Sequence, residues 1–205
     1  EDYGDAHVLA YKMRQLRSIA QGPERHCMVA DLEGLGRCFL LDYRLQSAEH
    51  DYCVYHECLV HPGALLHSER GPAEVLVGGP LGLVAVDLLL KHASVEEVVV
   101  VESDEVVHNM VKEHLKDWHN DAWKDPRGRV QMVVADVCDY LRNWHRLFDY
   151  IVLDLVDPGV ARHSCSGSLD SALLREVAAS LAPDGLVAVQ TGEFAGAAGL
   201  PAARA

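Results

Sequence analysis

Two aspartates lie three residues apart at the end of an apolar run. Asp154 and Asp157 belong to F-D-Y-I-V-L-D-L-V-D-P-G, residues 148–159, and the Pro-Gly pair then stops regular structure. The apolar residues predict a buried strand over Tyr150–Leu153, and ligands bind at the carboxyl ends of strands in open α/β sheets. Carboxylates at such a point can hold an amine or accept its proton. The alternative is that either aspartate caps the following turn, and the local pattern leaves both interpretations open.

A glycine-rich turn ends another predicted strand. The sequence V-L-V-G-G-P-L-G-L, residues 75–83, places Gly78, Gly79 and Gly82 between a strand and a helix. Such a turn lets a ligand approach the backbone at the positive end of a helix, although many such turns only reverse the chain. Glu102 ends the next strand, where a carboxylate can accept hydrogen bonds from ribose hydroxyls.

Asp136 ends a third strand, in V-V-A-D-V, residues 133–137. It could hold an adenine amino group or cap the helix that follows, whereas Asp104 is predicted to be a helix N-cap. Together the glycine turn, Glu102 and Asp136 predict an adenosine site of the methyltransferase type.

These strand ends require a sheet that brings them to one edge. After residue 72, apolar strand-like runs alternate with helical runs, which predicts an α/β fold: a Rossmann-like, methyltransferase-type parallel sheet with helices on both faces. The predicted strands are Glu74–Gly79, Glu97–Glu102, Arg129–Asp136, Phe148–Leu155 and Gly185–Thr191. The predicted helices are Gly82–His92, Asp104–Trp118, Val137–His145 and Ser168–Leu181.

The first fifty residues have a different pattern. Short β-like runs at 13–20, 26–31 and 37–42 are separated by turn-forming glycines, which predicts a small antiparallel hairpin region over 1–50. A helix over Tyr52–His67 follows, and Pro62 is expected to bend or divide it.

We place the Rossmann-like domain at 51–194 and a tail rich in small residues at 195–205. The sequence stops soon after the fifth predicted strand, so the final strands of the sheet are expected to be missing.

Composition narrows the function classes. The net charge of −13 disfavours nucleic-acid binding and suits a cationic small substrate. No apolar run is long enough to span a bilayer. Six cysteines without a C-x-x-C pair predict reduced, buried thiols in an intracellular, cytoplasmic protein. Because the sequence begins with Glu1 rather than Met, an organelle stays open.

One histidine-rich stretch contains residues of the types that bind metals. His56, Cys58 and His61 raise the question of zinc. Their spacing matches no familiar ligand set and no fourth ligand is evident, so we predict no metal.

Two motifs resemble those of a known family. The run L-Q-S-A-E-H-D-Y-C-V-Y-H-E-C-L-V-H-P, residues 45–62, and D-L-V-D-P, residues 154–158, are similar to motifs of the polyamine aminopropyltransferases. The likeness extends from about Arg17 to Gln190 and is closest to plant-type thermospermine synthases. It implies transfer of an aminopropyl group from decarboxylated S-adenosylmethionine, a co-substrate, to spermidine or putrescine, with methylthioadenosine released. It also implies no permanently bound cofactor and a homo-oligomer.

The resemblance also implies roles for individual side chains. Asp154 corresponds to the catalytic base. On the acceptor side the corresponding residues are Tyr55, His56, Asp157 and Gln190. Tyr55 corresponds to the tyrosine at the reacting amine, and Asp157 corresponds, with Asp154, to the aspartates of the D-x-x-D-P gate loop; both count among the catalytic residues. On the donor side they are Gln46, Gly78, Gly79, Gly82, Glu102 and Asp136.

The sequence departs from the family pattern near the donor. The family's glycine turn reads roughly G-G-G-D/E-G-G/S, and its acid holds the amino end of the donor. Here the turn is G-G-P-L-G-L, without a carboxylate between Glu74 and Asp87. The usual D-E before the Y-H-E motif is Asp51-Tyr52, and the residues after D-L-V-D-P lack a tyrosine. An alternative is therefore a family member without catalysis, acting as a structural or regulatory subunit of a larger assembly.

Overall fold

The computed structural model describes residues 10–23, 25–67, 70–144, 146–155 and 170–191. Within them the chain forms a four-stranded antiparallel sheet followed by a five-stranded parallel sheet with helices. This is the α/β architecture, preceded by antiparallel hairpins, that the sequence predicts.

The N-terminal sheet has one strand more than predicted. Its strands, in spatial order, are β1 (Met13–Gln21), β2 (His26–Leu32), β3 (Gly36–Leu41) and β4 (Arg44–Ala48). The turn between β3 and β4 consists of Asp42 and Tyr43, both with positive φ. Two-residue hairpin turns of this kind favour Asn-Gly or Asp-Gly, so Asp42 fits the first position, but Tyr43 in place of glycine leaves only a weak turn signal in the sequence.

The parallel sheet carries the predicted strand ends. Its strands, in spatial order, are β7 (Val130–Val134), β6 (Glu97–Glu102), β5 (Glu74–Gly78), β8 (Phe148–Leu153) and β9 (Leu181–Val189), and neighbouring strands pair in parallel. From β5 the chain adds β6 and β7 on one side and then β8 and β9 on the other. Such a change of side between β5 and β8 opens a crevice at their carboxyl ends. In chain order the elements are α1 (Tyr52–Leu66), β5 (Glu74–Gly78), α2 (Gly82–Leu89), β6 (Glu97–Glu102), α3 (Glu105–His114), α4 (Lys116–His119), a 3-10 turn (Ala122–Lys124), β7 (Val130–Val134), α5 (Val137–Asn143), β8 (Phe148–Leu153), α6 (Ser171–Ala179) and β9 (Leu181–Val189).

Helices cover both faces of this sheet, as predicted. On one face Tyr150 and Val152 pack against α1 and α2. On the other face Ile151 and Leu153 pack against α5 and α6. Because alternate residues of β8 enter opposite clusters, the strand is buried on both sides, which explains its uninterrupted apolar run.

Pro62 lies inside α1 without dividing it. The Tyr150 hydroxyl donates to the carbonyls of Leu59 and Val60, both at 3.1 Å, and so binds the carbonyls just before the proline. Gly63 makes this approach possible, because a Cβ there would lie 2.4 Å from the Tyr150 oxygen. Tyr150 therefore fixes α1 to β8 at this level.

Two predicted element boundaries were wrong. The helix predicted over Asp104–Trp118 is two helices, because the backbone of the buried Leu115 leaves helical geometry. Strand β9 begins at Leu181, four residues earlier than predicted, and includes Pro183. A proline is tolerated there because β9 lies at one edge of the sheet that the described residues form, where not every N–H needs a partner.

The cysteine prediction was correct for the sheet but wrong for α1. Cys27 and Cys38 are buried, whereas Cys53 and Cys58 are exposed. The apolar run around the latter two is helical, so only one side of it faces the core.

Other predictions concern the chain's limits. The proposed domain boundary at residue 50 falls in the turn between β4 and α1. The tail at 195–205, Asp157 and Cys165 lie outside the described residues. No helix within the described ranges is long and apolar enough to cross a membrane.

Candidate active site

Two periodicities bring Asp154 and His56 together. Alternate residues of a strand share a face, so Tyr150, Val152 and Asp154 all face α1. On α1 the buried stripe repeats every four residues and includes His56 and Val60. Tyr150 and Val152 pack with Val60 in the apolar cluster. One step further along both elements, at the carboxyl end of β8, the polar members of the two rows face each other.

The Asp154 carboxylate lies between two α1 side chains. The Tyr55 hydroxyl donates to Oδ1 at 2.5 Å, and His56 Nε2 lies 3.8 Å from Oδ2. The two rings pack edge to face with centroids 5.0 Å apart. Tyr55 is 37% exposed, whereas Asp154 is 9% exposed and His56 is fully buried. Tyr55 therefore lies at the mouth of the site, and His56 lies behind the carboxylate.

The hydrogen bonds of His56 determine its tautomer. Its Nδ1 lies 2.7 Å from the carbonyl oxygen of Tyr52, which can only accept, so Nδ1 carries the proton. Within the part of the chain that the structure describes, the buried Nε2 has no hydrogen-bond partner. Burial lowers the pKa of His56, and the nearby Asp154 charge opposes this only in part. The ring is therefore neutral at pH 7, with the lone pair of Nε2 available toward Asp154.

The glycine turn lies directly beside Asp154. The Asp154 N–H donates to the Gly78 carbonyl at 2.9 Å, and the Gly79 N–H donates to the Val101 carbonyl at 3.1 Å. Gly79 has a φ of +128°, and a Cβ there would lie 2.0 Å from the Asp154 carbonyl oxygen. The turn is therefore held between the ends of β6 and β8, at the crevice.

Gly82 has a different surrounding. A Cβ at this position would lie 2.8 Å from a methyl group of Val100. Its lack of a side chain thus allows α2 to pack closely on β6, which is a structural use of a glycine in such a turn.

Glu102 is buried at the carboxyl end of β6. Its Oε1 accepts from the Asp104 N–H at 2.9 Å and from the Ser103 hydroxyl at 3.3 Å. Burial raises the pKa of Glu102, and these hydrogen bonds together with the charge of Arg25 offset only part of this effect. Asp104 caps α3 by accepting from the Val106 N–H at 2.9 Å, as predicted.

A contact from the N-terminal sheet to this strand end could not be predicted from the sequence. Gly22, directly after β1, lies so close to Asp104 that a Cβ would be 2.0 Å from its Oδ2. Arg25 in the same turn acts electrostatically on Glu102. The Gly22-Pro23 pair signals a turn in the sequence, but no local signal states what that turn packs against.

The remaining predicted site residues make hydrogen bonds within their own parts of the fold. Asp136 follows β7 and caps α5 by accepting from the Asp139 N–H at 3.0 Å. The Gln190 N–H donates to the carbonyl of Leu153 at 2.9 Å, so Gln190 directly adjoins the strand end that carries Asp154. The Gln46 amide donates to the Arg44 carbonyl at 3.3 Å, within its own strand.

Comparison with known proteins now decides the family. The model of the spermine/spermidine synthase domain matches residues 52–197. The chain belongs to the spermine/spermidine synthase family. A polyamine aminopropyltransferase of Aeropyrum pernix is 42% identical over 144 residues, which are 68% of this chain and 44% of that protein. Polyamine aminopropyltransferase 2 of Pseudomonas aeruginosa is 36% identical over 198 residues, 95% of this chain and 54% of that protein.

Solved structures agree with this assignment. A spermidine synthase in complex with the transition state analogue AdoDATO superimposes with a TM-score of 0.77 at 27% identity, over 87% of this chain and 59% of that one. The spermidine synthase of Thermotoga maritima gives 0.76 at 26% identity, over 89% and 58%. The predicted family and fold are confirmed, whereas the closer likeness to thermospermine synthases is not. The chain spans about half the length of the curated relatives it matches.

The leucine of the glycine turn is buried against the N-terminal sheet. Leu81 is 2% exposed and packs in an apolar cluster with Phe39 and Leu41 of the N-terminal sheet. The half-buried Tyr52 packs against the same cluster. The two departures from the family pattern, Leu81 and Tyr52, therefore meet in one apolar contact region.

The three residues considered for zinc point in different directions. His56 faces Asp154, Cys58 is exposed, and His61 Nδ1 lies 2.9 Å from His92 Nε2. Among the described residues, no group of three or more His, Cys, Asp or Glu side chains could hold a metal ion.

Proposed function

We propose that this protein transfers an aminopropyl group from decarboxylated S-adenosylmethionine to a polyamine, spermidine or putrescine, with Asp154 as the base. The observation that carries the proposal is the Asp154 carboxylate, held by Tyr55 beside the glycine turn. The names of the relatives, polyamine aminopropyltransferases, support it.

The chemistry requires a base at this point. A polyamine nitrogen is protonated at neutral pH and cannot attack carbon until it loses that proton. Asp154 accepts the proton, while the nitrogen keeps the electron pair and forms a bond to the donor carbon. The carbon–sulfur bond breaks, and its electrons neutralise the sulfonium to give methylthioadenosine. Tyr55 holds Oδ1 and orients the carboxylate, so much of the catalysis is alignment.

We further propose the roles of the surrounding residues. The acceptor side comprises Tyr55, Asp157 and Gln190, with His56 behind Asp154. On the donor side, Glu102 binds the ribose and Asp136 the adenine, in the company of Gln46 and the glycines 78, 79 and 82. A net charge of −13 favours a cationic acceptor. The homo-oligomer, the absence of nucleic-acid binding and the intracellular, cytoplasmic location stay predictions.

The deciding measurement is product formation. We expect the protein to release methylthioadenosine from labelled decarboxylated S-adenosylmethionine when spermidine or putrescine is added. Release should depend on the polyamine. Absence of release, together with no thermal shift on adding methylthioadenosine, would contradict the proposal.

One observation favours a second candidate, a nucleoside-binding subunit without catalysis. No carboxylate lies in the glycine turn, and Leu81 is packed into an apolar cluster. A missing charge-assisted hydrogen bond to the donor's ammonium forfeits about 1.5–3 kcal/mol. A thermal shift with neutral methylthioadenosine but no turnover with either polyamine would identify this candidate.

Substitution of Glu102 should raise stability and weaken nucleoside binding. The folded state raises the pKa of Glu102 above its ordinary value of 4.5, so the folded protein binds this proton more tightly than the unfolded chain. Its contribution to stability therefore decreases as the pH rises above that value. Glu102→Gln cannot ionise, and its Oε1 can still accept from the Asp104 N–H. We expect a higher melting temperature at pH 7 than for the wild type, with the gain shrinking toward pH 4.

The same variant should bind methylthioadenosine at least about 10-fold more weakly, because an amide offers one acceptor oxygen to the ribose instead of two. Calorimetric titration measures this. The control is Glu105→Gln, a change of an exposed residue at the start of α3. It should not raise the melting temperature and should not weaken methylthioadenosine binding. A Glu102→Gln protein that binds like the wild type would remove Glu102 from the donor site.

A further inference from the structure

His56 presents an unusual arrangement behind the proposed base. Its Nε2 is fully buried and lacks a hydrogen-bond partner among the described residues, and it lies 3.8 Å from Asp154 Oδ2. In the neutral ring this nitrogen is an acceptor, because Nδ1 donates to the Tyr52 carbonyl. Two acceptors therefore face each other across a short gap. The His56 nitrogen has no donor among the described residues, and an unmet buried acceptor is costly.

The amine cannot reach this nitrogen directly in the structure. The His56 ring is fully buried, whereas Asp154 retains some exposure and Tyr55 lies at the mouth. Resemblance to the family implies a contact between His56 and the acceptor, but the His56 ring is fully buried, and its Nε2 faces the more exposed Asp154 carboxylate. His56 therefore acts on the reaction through Asp154.

We propose that His56 is a positioning residue that shares with Asp154 the proton removed from the polyamine; this rests on the function proposed above. When the N–H bond of the amine breaks, the proton bonds to an oxygen of Asp154, and the electron pair stays on nitrogen. The protonated carboxyl then donates from Oδ2 to His56 Nε2, after a small rotation that shortens the 3.8 Å gap. Nδ1 keeps its own proton throughout.

This arrangement would make Asp154 a stronger proton acceptor. An ordinary aspartate holds a proton weakly, with a pKa of about 3.9. A hydrogen bond that exists only in the protonated state makes the carboxyl a better proton acceptor. Among the described residues, the groups that face the His56 ring are Asp154 from the end of β8 and Tyr52 and Tyr55 from α1 itself. Of these groups, only Asp154 can share a transferred proton with Nε2. The Tyr52 contact is a backbone carbonyl, which cannot take up the proton and lies at Nδ1 instead.

Kinetics of three variants test the proposal. We expect His56→Leu to lower kcat roughly 10- to 100-fold, as loss of one hydrogen bond to the proton-accepting group predicts, with KM for the polyamine almost unchanged. His56→Gln supplies an amide oxygen that can accept from protonated Asp154, so it should retain more activity. His61→Gln is the matched control on α1, because His61 faces His92 rather than Asp154. It should equal the wild type.

A spectroscopic measurement depends neither on turnover nor on whether His56→Leu folds. Nitrogen NMR of ¹⁵N-histidine-labelled protein should show His56 with a proton on Nδ1 and none on Nε2. In Asp154→Asn the new amide can donate to Nε2, and the Nε2 resonance should shift accordingly. A proton on Nε2 of the wild type would overturn the inference.

The outcomes separate the two proposals. If the wild type releases no methylthioadenosine, the proposed function fails. If it is active and His56→Leu matches the His61→Gln control, only the role of His56 fails. A rise in KM with unchanged kcat would instead assign His56 to direct acceptor binding.

Discussion

Asp154→Asn is expected to reduce methylthioadenosine release by roughly 10²- to 10⁴-fold, the usual contribution of a general base. The amide is almost the same size as the carboxylate but cannot accept a proton from the amine. Its oxygen can still accept from the Tyr55 hydroxyl, and its N–H₂ group can donate to the unpartnered Nε2 of His56. We therefore expect a melting temperature equal to or above that of the wild type. Steady-state kinetics with saturating donor and polyamine measures the effect on kcat.

The control for this variant is Asp139→Asn on α5. Asp139 is exposed and forms an ion pair with Arg142, which contributes little to stability. Its activity should equal that of the wild type. Full activity in Asp154→Asn would assign the proton transfer to another group and remove the central element of the proposed mechanism.

Gly79→Ala is expected to be the most destabilising small substitution near the site. The backbone has a φ of +128°, and the added Cβ would lie 2.0 Å from the Asp154 carbonyl oxygen. Backbone atoms cannot yield as a side chain can, so β8 and the glycine turn must separate. We expect a loss of more than about 4 kcal/mol in unfolding free energy, in the range that marks a specific structural cause. For a chain of this size, the melting temperature should fall by roughly 10 °C or more.

Gly128→Ala separates the two causes of that loss. Gly128 also has a positive φ, of +70°, but apart from its chain neighbours no atom of the described residues lies within 4 Å of a Cβ built there. It should cost only the backbone strain, about 1–2 kcal/mol. The difference between the two variants measures the steric contact with Asp154. Equal losses would mean that this contact relaxes freely.

Gly79→Ala should also remove activity in the molecules that stay folded. Displacing the Asp154 backbone moves its carboxylate away from Tyr55, whose bond to Oδ1 is only 2.5 Å long. Methylthioadenosine release should therefore be measured well below both melting temperatures. Gly128→Ala should retain wild-type activity under these conditions.

Much of the site could be predicted from the sequence because it depends on local periodicity. The apolar run before Asp154 predicts a strand, and alternation then places Tyr150, Val152 and Asp154 on one face. The helical spacing of His56 and Val60 likewise predicts a stripe on α1. Both are short-range patterns, in which the side chains of a single element reveal the direction of its core.

Other features depend on contacts between distant segments and left no local signal. The hairpin turn at Asp42 and Tyr43 adopts positive φ without glycine, because the paired strands β3 and β4 hold it there. The break at Leu115 accompanies burial of its side chain between α3 and the N-terminal sheet. The closeness of Gly22 to Asp104 joins the two sheets across 82 positions of sequence.

The sequence by itself determined the family, the α/β class and the strand end that carries Asp154, because motifs and periodicity are written in neighbouring residues. Only the tertiary structure decided how that aspartate is surrounded. It placed Tyr55 against one oxygen, His56 behind the other and Gly79 against the backbone. It also packed Leu81 into an apolar cluster. These relations follow from the packing of α1 and the glycine turn against β8, and close packing depends on residues that are far apart in the chain.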